Sequence, residues 1–303
     1  MRILLFVPSY NDSASAYSLS KKILENEHVE RALIVDDSDD RESVEFLRSI
    51  DDSEIEIVRR TRSGKWSAWR LALVRSLEYD GLVEVDADVE VRDPGRLISE
   101  VEGYDVVTAY QDFASVSPRS FFSRRIAEIY GTMHRELEAA SKFNMGGQII
   151  AISKRAASML IDLGFFEEPV LADDHTICLA SCLLDLNYTT IDCGLRVRLP
   201  SKFSEWMRYR SRHRGTIRWV EDYVASKIGK RKAIREISSR DYRTTRCYFL
   251  KSLLWPPHPL NPAVLLFFAV SSILPIEDPF KWSALNSTKI RLLSNLLLFN
   301  RFP

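Results

Sequence analysis

GLVEVDADVEV, residues 81–91, sets Glu84, Asp86, Asp88 and Glu90 at every second position, with Val83, Val85, Ala87, Val89 and Val91 between them. Held extended throughout, the stretch would bring four carboxylates to one face, where like charges raise one another's pKa and call for a positive partner. Two readings follow. The stretch is either an edge strand with a solvated acidic face or the carboxyl end of a buried strand where a ligand binds.

The flanking pattern separates these readings. From residue 1 to about 110, short apolar runs alternate with longer amphipathic stretches: ILLFV, ALIVDD, EIEIVRR, LVEVDAD and DVVTAY, with KWSAWRLALVRSL among the stretches between. Runs that are apolar at every position suit parallel strands covered by helices on both faces, so the expected fold class is α/β with a Rossmann-like, mostly parallel sheet. Ligands in such sheets sit beyond the carboxyl ends of the strands. The polar motifs fall there: PSYND after the first strand, DDSDD after the second, RRTRSGK after the third and DAD after the fourth. Further on, residues 118–140, 154–163 and 173–184 are expected to be helical. FNMGGQIIAIS should form a glycine-bearing loop and a strand, and TTIDC and LRVRL short strands.

Composition bounds the partners. The 303 residues hold 42 Lys or Arg and 42 Asp or Glu, so net charge over the whole chain says nothing about a nucleic-acid partner, and none is expected. The charges are segregated, however. Residues 201–251 carry fifteen Lys or Arg against five Asp or Glu, whereas residues 252–276 carry no charged side chain. This divides the chain into a catalytic domain (1–200), a basic helical segment closing the site (201–251) and an apolar C-terminal extension (252–303). The apolar run 263–274 is shorter than the ~20 residues of a spanning helix, so peripheral contact with a membrane interface is expected instead. Four cysteines in a chain of this length suggest a reducing compartment. His175, Cys178 and Cys182 share a helical face with Cys193 elsewhere, but structural zinc usually takes knuckles from loops. The start, MRILLFVPSYND, is too short in apolar residues for a signal peptide, which places the chain in the cytoplasm, at the inner face of the membrane.

A DxD pair at a strand end offers two carboxylates to a hard cation, and the cation can hold a diphosphate. With that step, the ordered motifs VPSYND, IVDDSDD, SGKWSAWRLAL, VDADV, FNMGGQ, ADD (172–174) and RSRHRG (210–215) resemble those of family 2 glycosyltransferases with the GT-A fold, over about residues 1–220. The resemblance implies an inverting hexosyltransferase that uses Mn²⁺ or Mg²⁺ and a UDP- or GDP-sugar donor. Pro8, Tyr10, Asp12 and Asp37 match the nucleoside pocket, and Arg62 and Lys65 the nucleotide and phosphate pocket. Asp88 matches the metal ligand, Asp86 a second ligand nearer the ribose, and Asp174 the catalytic base, with Asp173 standing where the family has Glu. Helix N-capping is the structural alternative for Asp173 and Asp174.

The QxxRW motif of related enzymes becomes Tyr209, Arg210, Ser211, Arg212, His213. Arg212 and Arg214 remain to neutralise diphosphate, while stacking of the acceptor on Trp is lost. Trp66 and Trp69, three apart on a helix, are expected to pack rather than to hold sugar, and His175 to lie on a helix surface. The acceptor is expected to be lipid-linked or a saccharide. The nearest alternative is a polyprenyl-phosphate sugar synthase, whose phosphate nucleophile needs little base catalysis. A sugar nucleotidyltransferase would carry a glycine-rich loop with Arg and Lys after the first strand, which PSYND lacks. A non-catalytic sugar-nucleotide-binding module is the remaining reading.

Overall fold

A computed structural model of the chain describes residues 1–61, 63–114, 121–139, 148–198, 204–207, 216–254 and 257–273. Its centre is β1 (Ile3–Ser9), flanked by β2 (Val29–Asp36) and β4 (Gly81–Val85), with β3 (Ile55–Arg59) outside β2, all four mutually parallel. Beyond β4 the sheet continues through β7 (Ile149–Ser153), β6 (Val106–Ala114), β8 (Tyr188–Arg198) and the two-residue β5 (Glu90–Val91). Strand β7 runs antiparallel to both neighbours, and β5 antiparallel to β8. The expected α/β architecture with a mostly parallel sheet is therefore what the chain adopts, with one reversed strand inside it. TTIDC and LRVRL form one long strand rather than two short ones.

Alternation along β1 fixes the two layers. Ile3, Leu5 and Val7 point to the face covered by α1 (Ser13–Leu24) and α4 (Pro94–Ser99). Leu4 and Phe6 point to the opposite face, covered by α3 (Lys65–Ser76), α6 (Lys154–Asp162) and α7 (Asp173–Leu183). Helix α3 buries Ala68, Trp69, Ala72, Leu73 and Ser76, a spacing that makes one stripe. A short α2 (Arg41–Arg48) lies between β2 and β3, and its N-cap Asp40 accepts the Ser43 N–H at 2.8 Å. Gly81 opens β4 where a Cβ would sit 2.9 Å from the Ile152 carbonyl oxygen, so only glycine lets β4 and β7 approach there.

Helix α8 (Thr216–Ile228) lies past residue 200, yet its Val220, Tyr223 and Val224 belong to the same core as α3 and α7. The Tyr223 hydroxyl accepts the Phe166 N–H at 2.8 Å. A separate, smaller apolar cluster joins α5 (Phe121–Ala139), α9 (Arg231–Leu254) and α10 (Asn261–Ile273) through Ile126, Ile129, Trp206, Leu253, Val264 and Phe267. Among the described residues no helix is long and apolar enough to cross a membrane.

Candidate functional site

The row of four carboxylates does not survive folding as a row. Strand β4 ends at Val85, residues 87–88 turn, and Glu90 lies exposed on β5. Glu84 is wholly buried, and Asp86 and Asp88 stand half-buried just past the strand end. The Asp86 N–H donates to the Gln148 carbonyl oxygen at 3.0 Å, which carries the β4–β7 pairing one residue past Val85 before the chain turns. An uninterrupted strand would have kept four like charges on one face, and breaking it distributes them.

The positive partner is Lys65. Its Nζ lies 2.9 Å from Asp86 Oδ1, 2.9 Å from Asp173 Oδ2 and 3.0 Å from Glu84 Oε1, with only 12% of the side chain exposed. An ammonium has three protons, and three carboxylates surround it. Burial alone would lower its pKa, but Asp173, then Asp86 and Glu84, outweigh that and hold the ammonium charged well above the usual lysine range. Lys65 therefore stands among three acids of the protein.

The loop between β3 and α3 delivers Lys65. Gly64 takes φ +85°, a backbone region that suits glycine, and its N–H donates to Asp37 Oδ2 at 2.9 Å. Asp37 also accepts from the Ser63 N–H at 3.2 Å and from Arg60 Nη2 at 2.9 Å. The carboxylate expected beside a nucleobase thus also staples this loop. Arg60, which sequence reasoning passed over, is its side-chain partner; the RRTRSGK run was the signal. Asp36, wholly buried, accepts from Ser38 Oγ, from Ser13 Oγ at 3.3 Å and from Arg59 Nε at 3.4 Å.

Pro8 lies in β1, and Tyr10 and Asp12 follow its end, Asp12 as the N-cap residue of α1. The Tyr10 hydroxyl donates to Asp39 Oδ2 at 3.0 Å. Asn11, another residue not foreseen, has φ +56° and locks the β1 and β2 loops together. Its Nδ2 donates to Asp39 Oδ1 at 2.7 Å, and its Oδ1 accepts the N–H groups of Asp39 and Asp40. Arg62, Arg212 and Arg214 lie outside the described residues, as do residues 143–147 of the FNMGGQ loop.

Asp173 and Asp174 form the first turn of α7, and Ala172 occupies the N-cap, so the capping alternative does not hold. Asp173 is fixed by Lys65 and by Trp69 Nε1, which donates to its Oδ2 at 2.6 Å. Trp69 is fully buried, stacked on Phe166 at 5.8 Å and edge-on to Phe6 at 5.5 Å. It packs, as expected, and it also aims an acid. Burial, then the Asp173 charge, pushes the Asp174 carboxyl up to about 7 against the pull of the His175 N–H and of Lys65. Burial, then the charges of Asp86 and Asp12, likewise pushes Asp88 up to about 7. His175, expected on a helix surface, instead has a buried Nε2 with no hydrogen-bond partner among the described residues, and burial lowers its pKa to about 4, so the ring is neutral.

Five acids, Glu84, Asp86, Asp88, Asp173 and Asp174, thus gather around one ammonium. The surplus of negative charge and the raised carboxyl pKa values fit a divalent cation at Asp86 and Asp88. Among the described residues no three His, Cys, Asp or Glu side chains form a metal cage, and the His175, Cys178, Cys182 and Cys193 set forms none either. Hard cations that bind phosphates commonly take only one or two protein carboxylates, the ligand and water supplying the rest.

No family model matches the chain, and no curated protein is similar to it. Among solved structures it is similar to glucosyl-3-phosphoglycerate synthase from Mycobacterium tuberculosis in complex with Mn²⁺, UDP and glucosyl-3-phosphoglycerate. That match has 17% identity and a TM-score of 0.46, covering 75% of this chain and 80% of that one. It is also similar to S. aureus TarS (18%, TM-score 0.40, 70% and 39% covered) and to GalNAc-T7 with UDP, GalNAc and Mn²⁺ (11%, 0.45, 66% and 44%). None of these three likenesses reaches a TM-score of 0.5, so the chemistry of the site rests on its own side chains.

Proposed function

We propose that the chain is a GT-A-type, inverting glycosyltransferase that moves one hexose from a UDP- or GDP-sugar to a hydroxyl of a lipid-linked or saccharide acceptor. The observation that carries this reading is the pairing of two kinds of carboxyl at one sheet edge. Asp86 and Asp88 leave the end of β4 together, while Asp174 comes from the first turn of α7, where burial and the Asp173 charge push its carboxyl up to about 7. An expelled diphosphate needs a cation, and an attacking hydroxyl needs a base set apart from it; the edge provides for both.

In this reading Asp88 and Asp86 hold Mn²⁺ or Mg²⁺, which supplies Lewis-acid stabilisation to the departing diphosphate when bound. Pro8, Tyr10, Asp12 and Asp37 border the nucleoside, and Arg62, Arg212 and Arg214 meet the phosphates. The acceptor oxygen attacks the anomeric carbon from the face opposite the nucleotide, its proton passes to Asp174, and the bond to the nucleotide breaks. A base with a pKa near 7 takes that proton at working pH without being permanently protonated.

The C-terminal segment supports an acceptor at a membrane surface. Helix α10 buries Val264 and Phe267 but leaves Leu265, Leu266 and Val270 exposed on its other side. That face suits an anionic lipid surface. The division at residues 200 and 251 belongs to the same proposal, with 1–200 catalytic, 201–251 closing the site and 252–303 meeting lipid. A polyprenyl-phosphate acceptor is the second reading, favoured by that same face; its ionised oxygen would leave Asp174 dispensable.

Incubation with a panel of nucleotide sugars, with and without Mn²⁺, tests the proposal. Cation-dependent nucleotide release that disappears in Asp88→Asn is expected, and release indifferent to both overturns it.

A further inference from the structure

Lys65 does more in this structure than fill a phosphate pocket. Its three ammonium protons are matched by Glu84, Asp86 and Asp173, which belong to two segments far apart in sequence. Glu84 is wholly buried, and the Lys65 ammonium 3.0 Å from its Oε1 is its charged partner among the described residues. Asp173 takes its second contact from Trp69, whose ring is clamped between Phe6 and Phe166. Asp173 and Asp174 are successive residues of one helical turn, so holding the first aims the second.

We propose that Lys65 is a positioning residue and built-in counter-ion: it ties the strand-end acids to the first turn of α7, fixing Asp174, and by neutralising Asp86 it weakens the hold of this site on a divalent cation. The proposal rests on the cation site and base named above. Two consequences oppose each other. Without the ammonium, Asp86 and its neighbours attract a cation more strongly. At the same time Asp173 loses one of two anchors, and Asp174 drifts from the acceptor, which costs turnover more than donor binding. A lysine that merely contacted phosphate would behave the other way, its loss raising the donor KM. A lysine that merely stabilised the fold would change neither in this pattern.

The variant is Lys65→Met, which keeps length and removes charge, together with Lys65→Met/Glu84→Gln, which also removes the buried carboxylate that would otherwise be left unpaired and so keeps a folded protein in hand. Three readouts are taken on the full chain. Mn²⁺ affinity without nucleotide, from the EPR signal of the free ion, is expected to rise roughly tenfold. Turnover is expected to fall about a hundredfold while donor KM changes less than about threefold. The Trp69 indole N–H resonance, assigned with Trp69→Phe, is expected to shift, because Asp173 moves. Unchanged or weaker Mn²⁺ affinity, a KM effect without a turnover effect, or an indole signal that stays in place each overturns the proposal. Should the parent protein neither bind Mn²⁺ nor release nucleotide, the glycosyltransferase reading fails. The indole signal then decides alone whether Lys65 positions Asp173.

Discussion

The carboxyl edge of the sheet and the α5–α9–α10 cluster depart from ordinary folding economy in opposite directions. At the edge, acids from β4 and α7 are packed half-buried or buried around Lys65, although charge prefers water. At the cluster, apolar side chains fill the inner side of α10 and continue onto its outer side, although exposed apolar surface gains nothing in water. Each excess points outward: the first to a cation and a reacting group, the second to an apolar surface. The difference also predicts that mutations at the edge change chemistry, whereas mutations at the cluster separate stability from attachment.

The largest effect is expected at the edge. Asp88→Asn should lower cation-dependent nucleotide release by at least ~100-fold and abolish the Mn²⁺ response, with little change in melting temperature. If release fell equally with and without Mn²⁺, the edge would not be a cation site. Asp174→Asn should lower turnover on a hydroxyl acceptor by roughly 10²–10⁴-fold and remove the rise of rate with pH through about 7. Near-normal transfer to a phosphate acceptor by this variant would instead favour the polyprenyl-phosphate reading.

Next comes the inner side of α10. Phe267, 4% exposed and edge-on to Phe122 at 5.4 Å, should cost about 3–5 kcal/mol on replacement by alanine, read from chemical denaturation. Leu266→Ser on the outer side, 64% exposed, should leave stability within about 0.5 kcal/mol yet reduce partition onto anionic vesicles. Equal partition by both proteins would break the assignment of that face to lipid.

A further effect is expected in the pH dependence of stability without cation. Asp88 and Asp174 bind their protons more tightly in the folded chain, near 7, than at the ordinary 3.8. Their contribution is therefore fully present below about pH 3.8 and is lost as pH rises towards about 7, so melting temperature should decline across that window. Mn²⁺ should reverse the decline at its upper end, because the cation replaces the protons on Asp88. A melting temperature that climbs steadily across the window would count against the cluster.

Much of this was legible in the residues themselves. Runs such as ILLFV and ALIV, apolar at every position, report strands buried on both faces, and motifs at their ends report the binding edge, because short-range patterning depends only on local periodicity. The packing role of Trp69 was equally visible. The reversed β7 was not, since an apolar strand reads the same in either direction. Nor was the break in GLVEVDADVEV, where the chain turns at residues 87–88 instead of continuing as a strand.

Sequence alone thus determined that acids stand at 86, 88 and 174 and that a buried strand ends just before the first pair. Only the tertiary structure decided which acids face one another. Ion pairs reach about 3 Å, and Lys65 meets Asp173, more than a hundred residues away, only after α3 and α7 pack on one face of the sheet. A charge pattern along the chain specifies supply; the fold specifies distance, and distance sets the energy.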